Sequence, residues 1–326
     1  MSSITRIDPG ASVPATLMEP LEKAKDFVRD SVPENTRRAY AADWALFSEW
    51  CADKRVQNLP AAPHTVAAFI ADESKTSKPS TLRRRLAAIG KMHSVAGHAN
   101  PCSAEAVKAT MKGIERSFGI VQASKAPATH AKIEQMVAKC PTVTLDGLRS
   151  RAILLMGYAG AFRRSELCAL TCDDLKWSKD GVVVTVRRGK TDQRGKGMTK
   201  AIPFVSGGDL CAATSLRVWL TAAGIDQGPV FRGFTRNGKP KPSPLSDHAV
   251  AIIVKEAARR CGFDVSEFSG HSLRAGHVTE ARSRGVADAQ TMSTTGHKRV
   301  ETLDIYDRRE NAFQKTSAGD VLRSRS

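Results

Sequence analysis

The chain has 326 residues, 41% of them apolar and 25% charged, proportions expected of a globular protein of about two domains. No stretch reaches about 18 consecutive apolar residues, which excludes a transmembrane helix at this level, and the start MSSITRIDPGASVPATLMEP lacks the basic and apolar segments of a signal peptide. Lys and Arg number 50 against 33 Asp and Glu, a formal net charge of +17, which points to a polyanionic partner, nucleic acid first. Up to residue 125 there are 18 basic and 13 acidic residues, and beyond it 32 and 20, so both halves are positive. Seven scattered cysteines form neither a disulfide framework nor a zinc set, and they fit a reducing cytoplasm.

In chain order, residues 1–19 read as a disordered leader and residues 20–122 as a helical block. SVPENTRRAYAADWALFSEWCADK puts Tyr40, Trp44, Phe47 and Cys51 on one helical face, with Ser31 and Glu34 spaced as a capping box. PHTVAAFIADES follows with Val66, Phe69 and Ile70 inward. PSTLRRRLAAIGKMHSVAG then sets Leu82, Leu86, Ile89 and Val95 inward, with Ser80 or Thr81 as cap. SAEAVKATMKGIERSFG closes the block with Val107, Met111, Ile114 and Phe118. Four amphipathic helices on short connections predict a small bundle. The run Arg83, Arg84, Arg85 near a helix start is a candidate DNA-backbone contact.

A small, polar stretch interrupted by Pro127 and carrying Lys125 predicts a linker at 123–132, and residues 133–326 form a second domain. There LRSRAILLMGYAGAF is a strongly apolar helix. LTCDDLKW, GVVVTVRR and TKAIPF are short strands, with a glycine-bearing loop, Gly189 to Gly197, between the last two. DLCAATSLRVWLTAAG, SDHAVAIIVKEAARRCG, HSLRAGHVTEARSRG and VADAQTMSTTG are helices. The fold class is mainly α with a small antiparallel β-sheet.

No P-loop, dinucleotide fingerprint or HExxH is present. Acidic residues make no metal-ligand spacing, so an enzyme acting on phosphate must stabilise charge with its own cations. Those cations stand in a known order. GYAGAFRRSELCAL holds Arg163, Ser165, Glu166 and Leu167; RRGKTD holds Arg187, Arg188 and Lys190; GHSLRAG holds His271 and Arg274; TGHKRVETLDIYD holds Gly296, His297 and Tyr306. The set resembles the boxes of the tyrosine recombinase (phage integrase) family, of the Cre-like and Xer-like two-domain kind. ENTRRAYAADWALFSEWC also resembles that family's core-binding domain. Ala161 and Phe162 stand where the family pattern has Gly-Leu, and Thr295 where it has leucine.

The resemblance implies a helical, SAM-like core-binding domain joined to a mixed α/β catalytic domain, both holding duplex DNA. It implies cleavage by Tyr306, leaving a 3′-phosphotyrosyl bond and a free 5′-hydroxyl, with strand exchange through a Holliday junction by a homotetramer on two short inverted-repeat sites. Arg163 and Arg274 would hold the nonbridging phosphate oxygens through forked, permanently charged donors. A phenol with a free pKa of about 10 needs a proton acceptor, and His271 matches. Lys190 matches the general acid for the 5′-oxygen, with Lys196 and Lys200 in the same hairpin. His297 would donate to the phosphate, Glu166 would orient the His271 region, and His277 is structural. Arg83, Arg84, Arg85, Lys125, Arg187 and Arg188 are the DNA-contact candidates. No metal or cofactor is implied, and the tail after Tyr306 would dock on a neighbouring protomer. The location implied is cytoplasmic, on the nucleoid. The competing classes are a DNA-binding regulator without catalysis and a type IB topoisomerase-like relaxing enzyme.

Overall fold

The computed structural model describes residues 32–119, 125–187, 197–206 and 209–304, together with Glu19, Lys23 and Tyr306. Helices dominate, and among the described residues the strands form a three-stranded and a two-stranded antiparallel sheet. This is the fold class expected. The chain divides into two compact units, Met1–Ala123 and Ser124–Ser326.

In the first unit lie α1 (Glu34–Asp53), α2 (Pro63–Glu73), α3 (Pro79–Val95) and α4 (Glu105–Phe118). Prolines open α2 and α3, where the missing N–H costs nothing and φ is already set. α3 therefore starts ahead of the expected Ser80 or Thr81 cap. The N-cap of α1 is Pro33, so Glu34 sits in the first turn without a capping box, and Ser31 lies outside the described residues. Phe47, Phe69, Ile70, Leu82, Ile89, Val107, Met111 and Ile114 share one core, with Phe47 and Phe69 edge-to-face at 5.0 Å. Val95 and Phe118, expected inward, are 69% and 61% exposed. Each is the last residue of its helix, past the neighbours that would cover it.

The second unit begins inside the stretch expected to be a linker. The Ala126 N–H donates to the Glu267 carbonyl at 2.7 Å and the Ala128 N–H to the Ser272 carbonyl at 2.9 Å. Helix α5 (His130–Ala138) follows at once. Gly276 permits this approach, since a Cβ there would stand 1.9 Å from the Ala128 carbonyl oxygen. α6 (Leu145–Ala159), capped by Thr144, is buried nearly all round, as a helix apolar on every face must be. It packs against α5, α8 (Ala212–Ala223), α9 (Asp247–Arg260) and α10 (His271–Ser283).

Strands β1 (Leu175–Trp177), β2 (Gly181–Val186) and β3 (Met198–Pro203) pair in that order, with Gly181 opposite Pro203 and Val186 opposite Met198. The start of the expected first strand is instead a 3₁₀ turn at Cys172–Asp174. A second hairpin, β4 (Arg232–Phe234) with β5 (Pro240–Pro244), was not expected. Its PKPSP strand carries no β-branched alternation and is tolerated because a two-stranded ribbon is all edge. No helix among the described residues is long and apolar enough to cross a membrane.

Candidate active site

The site is built on the turn after α6 and the first turn of α10. Ala161 has φ of +46°, a left-handed conformation unusual for a residue with a Cβ. This bend aims the Ala161 carbonyl inward, where Arg274 Nη1 donates to it at 2.7 Å. Two residues on, Arg163 is the N-cap of α7 (Arg164–Ala169). Glu166, 5% exposed, folds back across that helix start. Its carboxylate accepts from the Arg163 backbone N–H at 3.0 Å and from the Arg163 guanidinium. The partner of Glu166 is thus Arg163 and not the His271 region, because an i, i+3 spacing at a helix start returns the carboxylate to the cap.

His271 and Arg274 lie three apart on α10, hence on one face. Arg274 is 1% exposed. Its Nη2 donates to His297 Nε2 at 2.9 Å. His297 follows α11 (Asp288–Thr295), which Gly296 ends at φ +71°; that left-handed cap turns His297 back over the site. Tyr306 follows the short α12 (Glu301–Asp304), held by its N–H on the Leu303 carbonyl. The Tyr306 hydroxyl is 2.9 Å from His271 Nε2. Its ring centroid lies 5.8 Å from that of His271 and 6.0 Å from that of His297.

The electrostatics follow from burial among cations. Desolvation, then Arg274, Arg163 and Arg164, hold His271 below the ordinary imidazole value. That leaves a neutral ring able to accept the phenolic proton. Desolvation, then Arg274 and Arg163, with His271 and Lys200, push His297 down to about 4. Lys200 lies beneath. It is 3% exposed, and its Nζ donates to the Gly160 carbonyl at 2.6 Å and the Thr294 carbonyl at 2.7 Å. Burial, with Arg274 and Arg163 against Glu166, lowers it to about 7. One ammonium thereby ties the turn that carries Arg163 to the helix end that carries His297. Among the described residues, no group of three His, Cys, Asp or Glu side chains could hold a metal ion.

Residues 126–312 match the sequence model of the phage integrase family, and they contain the whole of this constellation. The chain belongs to the phage integrase family, the tyrosine recombinases. It is 37% identical over 295 residues to an integrase/recombinase xerD homolog of Selenomonas ruminantium, covering 90% of this chain and 86% of that protein. It is 29% identical over 290 residues to tyrosine recombinase XerC of Xylella fastidiosa, covering 86% and 87%. Its fold is similar to that of a lambda integrase dimer bound to a COC′ core site, at TM-score 0.61 and 13% identity over 93% of this chain and 83% of that one.

Against the phage integrase pattern, five expected residues, Arg163, His271, Arg274, His297 and Tyr306, converge on one site. Lys190 and Arg188 lie outside the described residues, as do Lys196 and the tail after Tyr306. Among the described residues, Lys200, named from the sequence only as a neighbour of Lys190, is the lysine found at this site. The signal for its inward position was the alternation of Met198, Lys200 and Ile202 on one face of β3, opposite the buried Val184. Phe162, the aromatic departure from the family's leucine, has its ring 4.6 Å below the Lys200 ammonium, a cation–π contact leucine could not make.

The DNA-contact candidates lie elsewhere. Arg84 makes a two-pronged pair with Asp43 at 2.7 and 2.9 Å. Arg83 pairs with Glu115, and Arg85, whose side chain is 12% exposed, with Glu73. The run is therefore engaged within its own unit. Successive helix residues point about 100° apart, so the three side chains reach α4, α1 and α2. Arg187 pairs with Asp174 and keeps 61% of its side chain exposed. The Lys125 ammonium donates to the Ser266 carbonyl at 2.6 Å.

Proposed function

We propose that this chain is a site-specific DNA recombinase in which Tyr306 attacks the scissile phosphodiester. The observation that carries the reading is the hydrogen bond between the Tyr306 hydroxyl and His271 Nε2, beside two guanidiniums. The phenol loses its proton to His271 as its oxygen bonds to phosphorus. The P–O5′ bond breaks, giving a 3′-phosphotyrosyl link and a 5′-alkoxide that takes a proton from the lysine of the β2–β3 hairpin, Lys190 by family resemblance. Arg163 and Arg274 bear the charge that grows on the nonbridging oxygens. One phosphodiester is exchanged for another ester of similar energy, so attack by a 5′-hydroxyl reseals the strand without ATP.

Further parts of the reading rest on the family. Four protomers would hold two short inverted-repeat sites and exchange strands through a Holliday junction, integrating, excising or resolving DNA in the cytoplasm. The half-exposed Arg83, Arg84 and Arg187 and the exposed Lys125 remain candidates for phosphate contact. Recombinase names among the relatives favour this reading over a silent regulator or a relaxing enzyme.

The test is a plasmid carrying two copies of a site recovered by binding selection. Recombinant circles that require both copies support the reading. Relaxation of plasmids lacking the site would instead favour a topoisomerase, and binding without any strand exchange a regulator.

A further inference from the structure

The side chain of Thr295 is fully buried, and its hydroxyl stands at the end of a directed chain of hydrogen bonds. A guanidinium has donors only, so the 2.9 Å contact makes His297 Nε2 an acceptor from Arg274. The neutral ring then carries its proton on Nδ1. Nδ1 lies 3.0 Å from Thr295 Oγ1, and that hydroxyl donates to the Thr291 carbonyl at 2.8 Å, leaving a lone pair free to accept. The polarity runs one way: Arg274 to His297 Nε2, His297 Nδ1 to Thr295 Oγ1, Thr295 to the Thr291 carbonyl.

We propose that Thr295 is a positioning residue for strand cleavage: by accepting from His297 Nδ1–H, its hydroxyl reserves Nε2 for the scissile phosphate. Before DNA binds, Nε2 caps Arg274. When the phosphate arrives, one of its oxygens replaces Nε2 as acceptor for Arg274. Nε2 takes a proton from solvent and donates it to the phosphate as a hydrogen bond. Nδ1–H keeps its acceptor in both states, so Thr295 needs no rearrangement. The leucine of the family pattern offers no such acceptor.

The charge on His297 is opposed by the groups that face it: Arg274 and His271 on α10, Arg163 at the start of α7 and Lys200 on β3, with the Tyr306 ring alongside. A bound phosphate offsets those cations. Cleavage then falls as pH rises through the value of His297 in the complex. Removing the acceptor at Nδ1 moves that fall to lower pH, because the imidazolium loses a partner.

This inference rests on the cleavage reading above. The experiment compares wild type, Thr295→Val, which keeps the shape, and Thr295→Ser, which keeps the hydroxyl. Adduct formation is timed on a nicked duplex carrying the selected site, across pH, with affinity measured separately. The valine variant should cleave about 10- to 100-fold more slowly, bind within about 3-fold of wild type, and lose activity at lower pH. The serine variant should restore both rate and pH limb. In the DNA-free protein, nitrogen NMR of labelled histidine should place the His297 proton on Nδ1. A proton on Nε2 overturns the proposal, as does a valine variant matching serine in rate and pH limb. No adduct even from wild type would bring down the cleavage reading itself, and this one with it.

Discussion

Two groups of arginines in this molecule look alike by composition and differ in use. Arg83, Arg84 and Arg85 are consecutive, yet the pitch of α3 sends them to three carboxylates on three helices. Arg163 and Arg274 are far apart in sequence, yet they gather at one site with two histidines and a tyrosine. The difference lies in what seats them. The run in α3 meets Asp43, Glu73 and Glu115, and those pairs hold the bundle together. Arg274 is held by a backbone carbonyl and a neutral imidazole, which fix its geometry without neutralising its charge. Arg163 shares that site but is paired with the Glu166 carboxylate, so seating on dipoles rather than on a carboxylate distinguishes Arg274 alone.

The sharpest way to break this contrast is Arg274→Ala. Cleavage should fall by about 1,000-fold, the scale of a lost transition-state donor, while DNA affinity stays within about 10-fold; a loss mainly in affinity would make Arg274 a binding cation only. Lys200→Met should come next. It leaves the Gly160 and Thr294 carbonyls without their donor, so single-turnover cleavage should drop by about 10-fold or more as Arg163 and His297 drift, with a lowered melting temperature. Wild-type behaviour in both would deny Lys200 its bridging place.

In the first unit the expected effects are on stability. Arg84→Ala leaves the buried Asp43 carboxylate with only the more distant Arg85, at 3.9 Å, and should cost about 2 kcal/mol in urea unfolding. Arg83→Ala, where the arginine itself is mostly exposed, should cost under about 1 kcal/mol. If either arginine also contacts phosphate, its removal should lower the salt dependence of DNA affinity by about one ion.

A further effect concerns pH. Burial, partly opposed by a bond to the Tyr158 backbone, pushes His277 from the ordinary 6.5 down to about 4. A depressed value means the unfolded chain protonates first. The stability of this neutral ring is full above pH 6.5 and is lost as pH falls toward 4. His277→Gln should flatten the dependence of unfolding free energy on pH in that window, and an unchanged slope would place the acid sensitivity on other groups.

Much of this is legible in the sequence. The residues with chemistry stand in recognisable boxes, and the apolar periodicity gave the helices of both units. What escaped has physical reasons. Val95 and Phe118 fit their helical stripes, but periodicity does not say where a neighbour ends. Residues 125–129 look like a linker because they are small and polar, yet small residues are also what close packing against α10 needs, as Gly276 shows. Glu166 bonds to Arg163 rather than to the His271 region because spacing along a helix start outweighs membership of a box. Thr295 and Phe162 read as departures that removed no reacting group. Their contacts with His297 and Lys200 exist only once α6, α11 and β3 are brought together.

The most direct measurement is covalent trapping on the selected duplex, nicked near the centre of the protected region, with wild type and Tyr306→Phe run side by side on a denaturing gel. A protein–DNA adduct with wild type alone, the two proteins binding equally, is the result this account predicts. An adduct that survives Tyr306→Phe would contradict it, by placing the nucleophile on another residue.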